Sequence, residues 1–168
     1  MSAFDPILGL EPETLILGSM PGLVSLEKVE YYAHPRNSFW WIMGSIFGFD
    51  SQLDYSQRCQ HLIENKVAVW DVLFDCERSG SLDSAIVKNT EVVNDFELLF
   101  TNNDTLKKVI FNGAAAEQLF KRHNAELIQR LSEQAAVVQF LRVPSTSPAH
   151  ASITKQAKLA AWSLALTG

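Results

Sequence analysis

The chain has 168 residues, 47% of them hydrophobic and 20% charged, the balance of one folded domain over residues 1–168 rather than of a disordered chain or two ordinary domains. No apolar run reaches the roughly 18 residues that span a membrane, no basic stretch precedes an apolar core at the N-terminus, and the two lone cysteines, Cys59 and Cys76, make neither a disulfide framework nor a zinc or iron–sulfur site. A net charge of −5 argues against a broad phosphate-binding surface but leaves room for a small basic patch; the expected compartment is a reducing cytoplasm.

Residues 1–13 read as an irregular arm that Phe4 and Ile7 can anchor. TLILGS at 14–19 is short, apolar and ends in a turn residue, which predicts a buried strand. Met20-Pro21-Gly22 is a turn by composition, and 23–36 is loop, broken by a short helix around 24–30. From Asn37 the period becomes helical: Phe39, Ile42, Met43 and Ile46 share one face, with Asn37 or Ser38 as the cap and Gly48 as the stop. Trp40 and Trp41 lie inside that pattern and are assigned to the core. A second helix over 55–65 carries Tyr55, Cys59, Leu62 and Ile63 behind Asp54. VAVWDVLF at 67–74 predicts the second strand, and 75–91 a polar loop. Phe96, Leu99 and Phe100 predict a helix over 94–101. KVIF at 108–111 is the third strand, closed by Asn112-Gly113. Helices over 114–122 and 125–132 follow, then a fourth strand, AVVQFLRV, at 136–143. PSTSPAH at 144–150 is loop. The last helix, 152–166, has Ser152 as its cap and buries Ile153, Ala157, Ala160, Ala161 and Leu164. Four short strands alternating with helices make an α/β protein with a mostly parallel sheet.

In open α/β sheets ligands bind beyond the carboxyl ends of the strands. That rule gathers Gly18–Gly22, the chain from Asp71 onward, Asn112-Gly113, 144–150 and the dense stretch YYAHPRNSFWW at 31–41. Gly18, Ser19, Met20 and Gly22 offer close backbone approach and free N–H groups, or simply a turn; there is neither a phosphate-loop GK[ST] nor a GxGxxG. Asn37 can hold water or a base edge while capping a helix. Tyr31 and Tyr32 can stack on a flat ligand or pack into the core. Asn112 faces the crevice or only makes a turn. Ser145, Ser147, Pro148 and His150 form a rigid, hydroxyl-rich loop suited to phosphate, with Arg142, Lys155 and Lys158 near it in sequence as a basic patch. Asp71, Asp75, Cys76 and Glu77 are either a metal cluster or a solvated loop paired with Arg78, and the spacing favours the loop. A Ser147–His150–Asp71 triad lacks the GxSxG elbow.

The blocks GSMPG, YYAHPRNSFW, FNG and STSPAH together resemble the uracil-DNA glycosylase superfamily, over the chain from about residue 4 to the last helix. GSMPG, VWDVLFDCERSGSLDSAI and the SPA loop are most similar to its hypoxanthine-DNA (deoxyinosine) glycosylase branch, while AHPRNSFW is similar to the mismatch-specific uracil branch. The resemblance implies a three-layer α/β/α sandwich around a four-stranded parallel sheet, and hydrolysis of the N-glycosidic bond of a flipped, deaminated base in DNA by a monomer without metal or cofactor. It puts Met20 where the mismatch branch has a water-positioning Asn, and moves that role to Asn37. It implies Tyr32 as the stacking aromatic and Asn112 as a base reader, beside Gly18, Ser19, Met20 and Gly22. It implies Ser147 and Pro148 as the loop on the DNA backbone and His150 near the wedge, with Arg36, Ser145 and Lys155 also on DNA. The substrate expected is hypoxanthine; the alternatives are uracil in a G:U mismatch, or a domain that binds nucleic acid without catalysis.

Overall fold

The computed structural model describes residues 3–168. In chain order the elements are β1 (Thr14–Gly18), α1 (Leu23–Lys28), α2 (Phe39–Phe47), α3 (Tyr55–Glu64), β2 (Val67–Asp71), β3 (Leu73–Asp75), β4 (Val92–Val93), α4 (Phe96–Asn102), β5 (Lys108–Asn112), α5 (Ala114–His123), α6 (Ala125–Glu133), β6 (Gln139–Val143) and α7 (Lys155–Thr167). β2, β1, β5 and β6 lie side by side in that order, all parallel. Successive side chains of a strand point to opposite faces, and here both faces are apolar. Leu15, Leu17, Val109 and Phe111 pack with Phe96, Leu119, Phe120 and Leu127 of α4, α5 and α6. Ile16, Val69, Ile110 and Val143 pack with Phe39, Ile42, Leu62 and Trp162 of α2, α3 and α7. The result is the expected α/β/α sandwich. The chain leaves β1 for β2 on one side and returns to β5 on the other, so the sheet has its switch point, and its crevice, at the ends of β1 and β5.

Four expectations change. The apolar run 67–74 is not one strand. Val72 and Leu73 donate to the carbonyls of Gly18 and Ser19, so the chain follows the loop after β1 and leaves the sheet. β3 then pairs antiparallel with β4, a two-residue strand that apolar patterning does not reveal. The segment 75–91 is thereby folded back against the β1 loop, with a bridge between Arg78 and Ile86 and a 3₁₀ turn at Asp83–Ala85. α7 is capped by Thr154, whose hydroxyl accepts from the Ala157 N–H, and it buries Lys158, Trp162 and Ala165, while Leu164 is 75% exposed. Trp162 sets that rotation: it is the largest side chain on the helix, and its indole N–H donates to the Pro144 carbonyl at 3.0 Å. Finally, Leu141 and Val143 face the α7 side, so alternation turns Arg142 to the other side, where it pairs with Glu117 of α5 at 3.5 Å and leaves the basic patch.

Candidate active site

Two segments close the crevice, and three side chains tie them together. Thr146, 1% exposed, is the hub. Its carbonyl accepts from the Ser38 N–H and hydroxyl, its N–H donates to Asn112 Oδ1 at 2.9 Å, and its hydroxyl accepts from Asn112 Nδ2 at 3.0 Å. Gly113 permits the approach: at φ +94° it takes a backbone shape that favours glycine, and a Cβ there would meet Ser145 Cβ at 3.0 Å. Asn112, expected to be free to read a ligand, thus spends its oxygen and one N–H on Thr146. One N–H remains.

The segment 31–38 is bolted from below. The Tyr31 hydroxyl donates to the Asp5 carbonyl at 3.0 Å, the Tyr31 N–H donates to the Tyr55 hydroxyl, and the Tyr31 carbonyl accepts from Trp40 Nε1 at 2.8 Å. Tyr31 is therefore packing, not a stacking surface. Tyr32 sits at φ +55°, rare for a bulky residue and a mark of local strain. Phe39 covers one face of its ring at 4.0 Å. The cap position of α2 falls to Ser38, the other of the two expected residues, and Asn37 just before it accepts from the Phe39 N–H through Oδ1 at 3.0 Å in a local turn, while its Nδ2 makes no hydrogen bond among the described residues.

An inner cavity of about 150 Å³ lies behind these segments. Gly18, Ser19, Met20, Gly22, Tyr32, Asn37, Asn112, Ser145, Ser147 and Pro148 all line it, as does Asp71, expected at the crevice; Asp83 and Ser81 line it too, which sequence reasoning did not single out. Asp71 ends β2 beside Gly18. A Cβ on Gly18 would run into the Asp71 carboxyl and crowd the Tyr32 hydroxyl. Burial, then the nearby Asp83, push the Asp71 carboxyl up to about 7, against the pull of Arg78. Burial, then Asp71, raise the Tyr32 hydroxyl above its ordinary range, with Asn112 opposing. The 75–91 segment forms the far wall: Asp83 accepts from the Ser19 hydroxyl at 2.6 Å, Ser81 accepts from the Leu23 N–H, and Arg78 donates to the Pro21 carbonyl. Met20, 7% exposed, packs into the core at the cavity edge.

The inner cavity opens onto an outer groove of about 530 Å³. Arg36, Asn37, Ser147, Pro148, His150 and Lys155 line it, with Tyr32 and Thr146 at the join. Five of the fourteen Lys and Arg residues are here, Lys28, Arg36, Arg58, Lys155 and Lys158, against Glu30 as the one acidic lining residue, so the groove is a local cationic surface on an acidic chain. Trp41, assigned to the core from its helical position, is instead a groove wall, with Lys155 Nζ 4.0 Å above its ring. Lys158 donates to the Ser147 carbonyl at 3.4 Å, and burial lowers its pKa.

The two competing chemistries do not assemble. Asp71, Asp75, Cys76 and Glu77 form no metal-binding group, and no set of three His, Cys, Asp or Glu does among the described residues. His150 lines the groove while Asp71 lines only the inner cavity, and the Ser147 hydroxyl accepts from the Ala149 N–H.

Residues 7–166 match the family model described as the Uracil DNA glycosylase superfamily. A curated protein of Methanosarcina barkeri (strain Fusaro / DSM 804) called Hypoxanthine DNA glycosylase is 43% identical over 111 residues, 66% of this chain and 69% of its own length. One of the same name from Methanosarcina acetivorans is 37% identical over 114 residues, 67% of this chain and 71% of its own. The solution NMR structure of a candidate uracil DNA glycosylase from Methanosarcina acetivorans superposes with a TM-score of 0.80 at 28% identity, over 98% of this chain and 95% of that one.

Proposed function

We infer the reaction from one premise: the chain belongs to the uracil DNA glycosylase superfamily. It is a DNA glycosylase, and the base it removes is hypoxanthine, the deaminated product of adenine; the names of the two curated relatives support that choice. It acts as a monofunctional hydrolase, one domain and one chain, leaving an abasic site. We propose that it works as a monomer. No described helix is long and apolar enough to cross a membrane; with Cys59 and Cys76 both free, we place it in the cytoplasm.

One observation carries the mechanism. Asn37 lines both cavities, so it stands where a nucleotide flipped from DNA in the groove would have its sugar, with the base in the inner cavity. Its Oδ1 keeps a second acceptor site beside the Phe39 N–H and holds water against C1′. The bond breaks through an oxocarbenium-like transition state, as in glycoside hydrolysis generally. Tyr32, one face on Phe39, offers the other face to the base. The remaining Asn112 N–H and the backbone of Gly18–Gly22 read the base edge and hold charge on the leaving group. Outside, Arg36, Lys155 and their neighbours take phosphates, Ser145, Ser147 and Pro148 press on the backbone, and His150 lies beside the vacated space.

The test is alkali cleavage of duplexes that carry inosine, uracil, xanthine or ethenoadenine. Wild type produces abasic sites fastest from inosine. Asn37→Ala lowers that single-turnover rate by about 100- to 10,000-fold and changes duplex binding by no more than a few-fold. Intact inosine excision by Asn37→Ala removes Asn37 from catalysis. Faster uracil release makes this a uracil enzyme. Salt-sensitive binding with no abasic product from any duplex makes it a binding domain.

A further inference from the structure

One buried titratable group in the inner cavity has no part in the steps just described. Asp71 is 3% exposed, and its Oδ2 has no hydrogen-bond partner. It faces the Tyr32 hydroxyl across the notch that Gly18 leaves open, and that hydroxyl is shut from solvent with the Asn112 amide as its other polar neighbour. The second carboxyl lining the cavity, Asp83, is held by the Ser19 hydroxyl. The nearby cation, Arg78, turns one nitrogen to the Pro21 carbonyl and leaves the other without a partner. A carboxylate here would lack both hydration and a donor for Oδ2, with like charge close by. Those conditions favour the neutral acid, and Arg78 only partly opposes them. The cavity that would receive the base therefore holds a proton donor, and Asp71, unlike Asn37, lines no part of the outer groove.

We propose that Asp71 is the general acid of this site: as the bond from C1′ to the base nitrogen breaks, the Asp71 carboxyl gives its proton to a ring nitrogen of the departing base. The bonding electron pair leaves with the base, so the base departs neutral and Asp71 becomes a carboxylate. The water held by Asn37 adds to C1′ and releases a proton, which restores the acid through solvent. The proposal rests on the glycosylase reading above. It suits a purine, which leaves poorly as an anion and carries basic nitrogens remote from the breaking bond. An acid of this kind accounts for a site without a carboxylate pair astride the sugar.

Single-turnover rates across about pH 5.5 to 8 test it, since an acid near neutrality loses its proton there. On inosine, the wild-type rate falls as pH rises through this range. Asp71→Asn is slower by about 100-fold at the acid end, and its falling limb is gone. Its loss is smaller on xanthine, the more acidic oxopurine, whose departure needs less help. Asp83→Asn removes the neighbouring charge and moves the falling limb to lower pH. A wild-type rate that is flat or climbs with pH overturns the proposal, and needs no variant to fold. A limb that survives Asp71→Asn, or stays in place in Asp83→Asn, overturns it as well. Wild type that makes no abasic site from inosine removes the glycosylase reading and the acid with it; abasic sites with the wrong pH profile remove the acid alone.

Discussion

The inner cavity and the outer groove share six lining residues, Tyr32, His34, Asn37, Thr146, Ser147 and Pro148, yet they are charged in opposite senses. Inside, the acidic groups are the carboxyls of Asp71 and Asp83, and no lysine or arginine lines the wall. Outside, five cations face Glu30 alone. None of the five has an ion-pair partner among the described residues, whereas Arg122, Arg130, Lys121 and Arg142 on the α5 and α6 side are tied to Glu91, Glu97 and Glu117. The net charge of −5 describes neither cavity. What matters is which cations are left without a partner, and a paired cation offers little to a phosphate.

Five substitutions test this contrast. The largest concerns the inner carboxyl. The folded pKa of Asp71, about 7, lies above its ordinary 3.8, so between those values the folded chain keeps a proton that the unfolded chain has released. Wild-type stability therefore falls as pH rises through this window; the cost is absent below about pH 4 and complete above about pH 7. Denaturant melts of wild type and Asp71→Asn show a difference that shifts in favour of the variant by on the order of 2–4 kcal/mol between those limits. A constant difference means that Asp71 is ionised in the fold. Next is the shared hub. Thr146→Val strips the acceptor from Asn112 Nδ2, costs about 1–3 kcal/mol in the same melts, and slows excision because both cavities lose their common wall.

Groove cations act on affinity rather than chemistry. Arg36→Ala and Lys155→Ala each lower the slope of log K against log salt by about 1 and leave the single-turnover rate at saturation within a few-fold. An unchanged slope places the phosphates elsewhere. The smallest effect belongs to the opposite face: Arg130→Ala breaks an exposed pair with Glu97, leaves DNA binding alone and changes stability by less than about 1 kcal/mol. A salt slope that drops in this variant would overturn the division between the two faces.

Much of the site was legible because its residues sit in loops that no strand or helix would choose. GSMPG, AHPRN and PSTSPAH carry glycine, proline and hydroxyls where regular structure forbids them, and strand–helix alternation sends all of them to one end of the sheet. Asp71 was legible as a residue at the crevice, but a single acid inside VAVWDVLF gives no sign that its carboxyl is buried with one oxygen unpartnered. Asp83 and Ser81 lie in a polar stretch indistinguishable in composition from a solvated loop. Thr146 stands between two serines that look equally suitable.

Residue patterns along the chain were enough to find the four strands, their order and the loops beyond their ends, because short apolar runs mark buried strands and turn residues are chosen by their own backbone. Which polar groups meet is set across the fold. The 75–91 segment closes over the β1 loop because Val72 and Leu73 bond to Gly18 and Ser19 instead of continuing the sheet. Asn112 is half spent on Thr146. α7 turns Lys158 and Trp162 inward because indole volume and the Pro144 carbonyl outweigh a stripe of alanines. Periodicity reports that a side chain is buried; it carries no record of its partner, which lies across the fold and is fixed by packing.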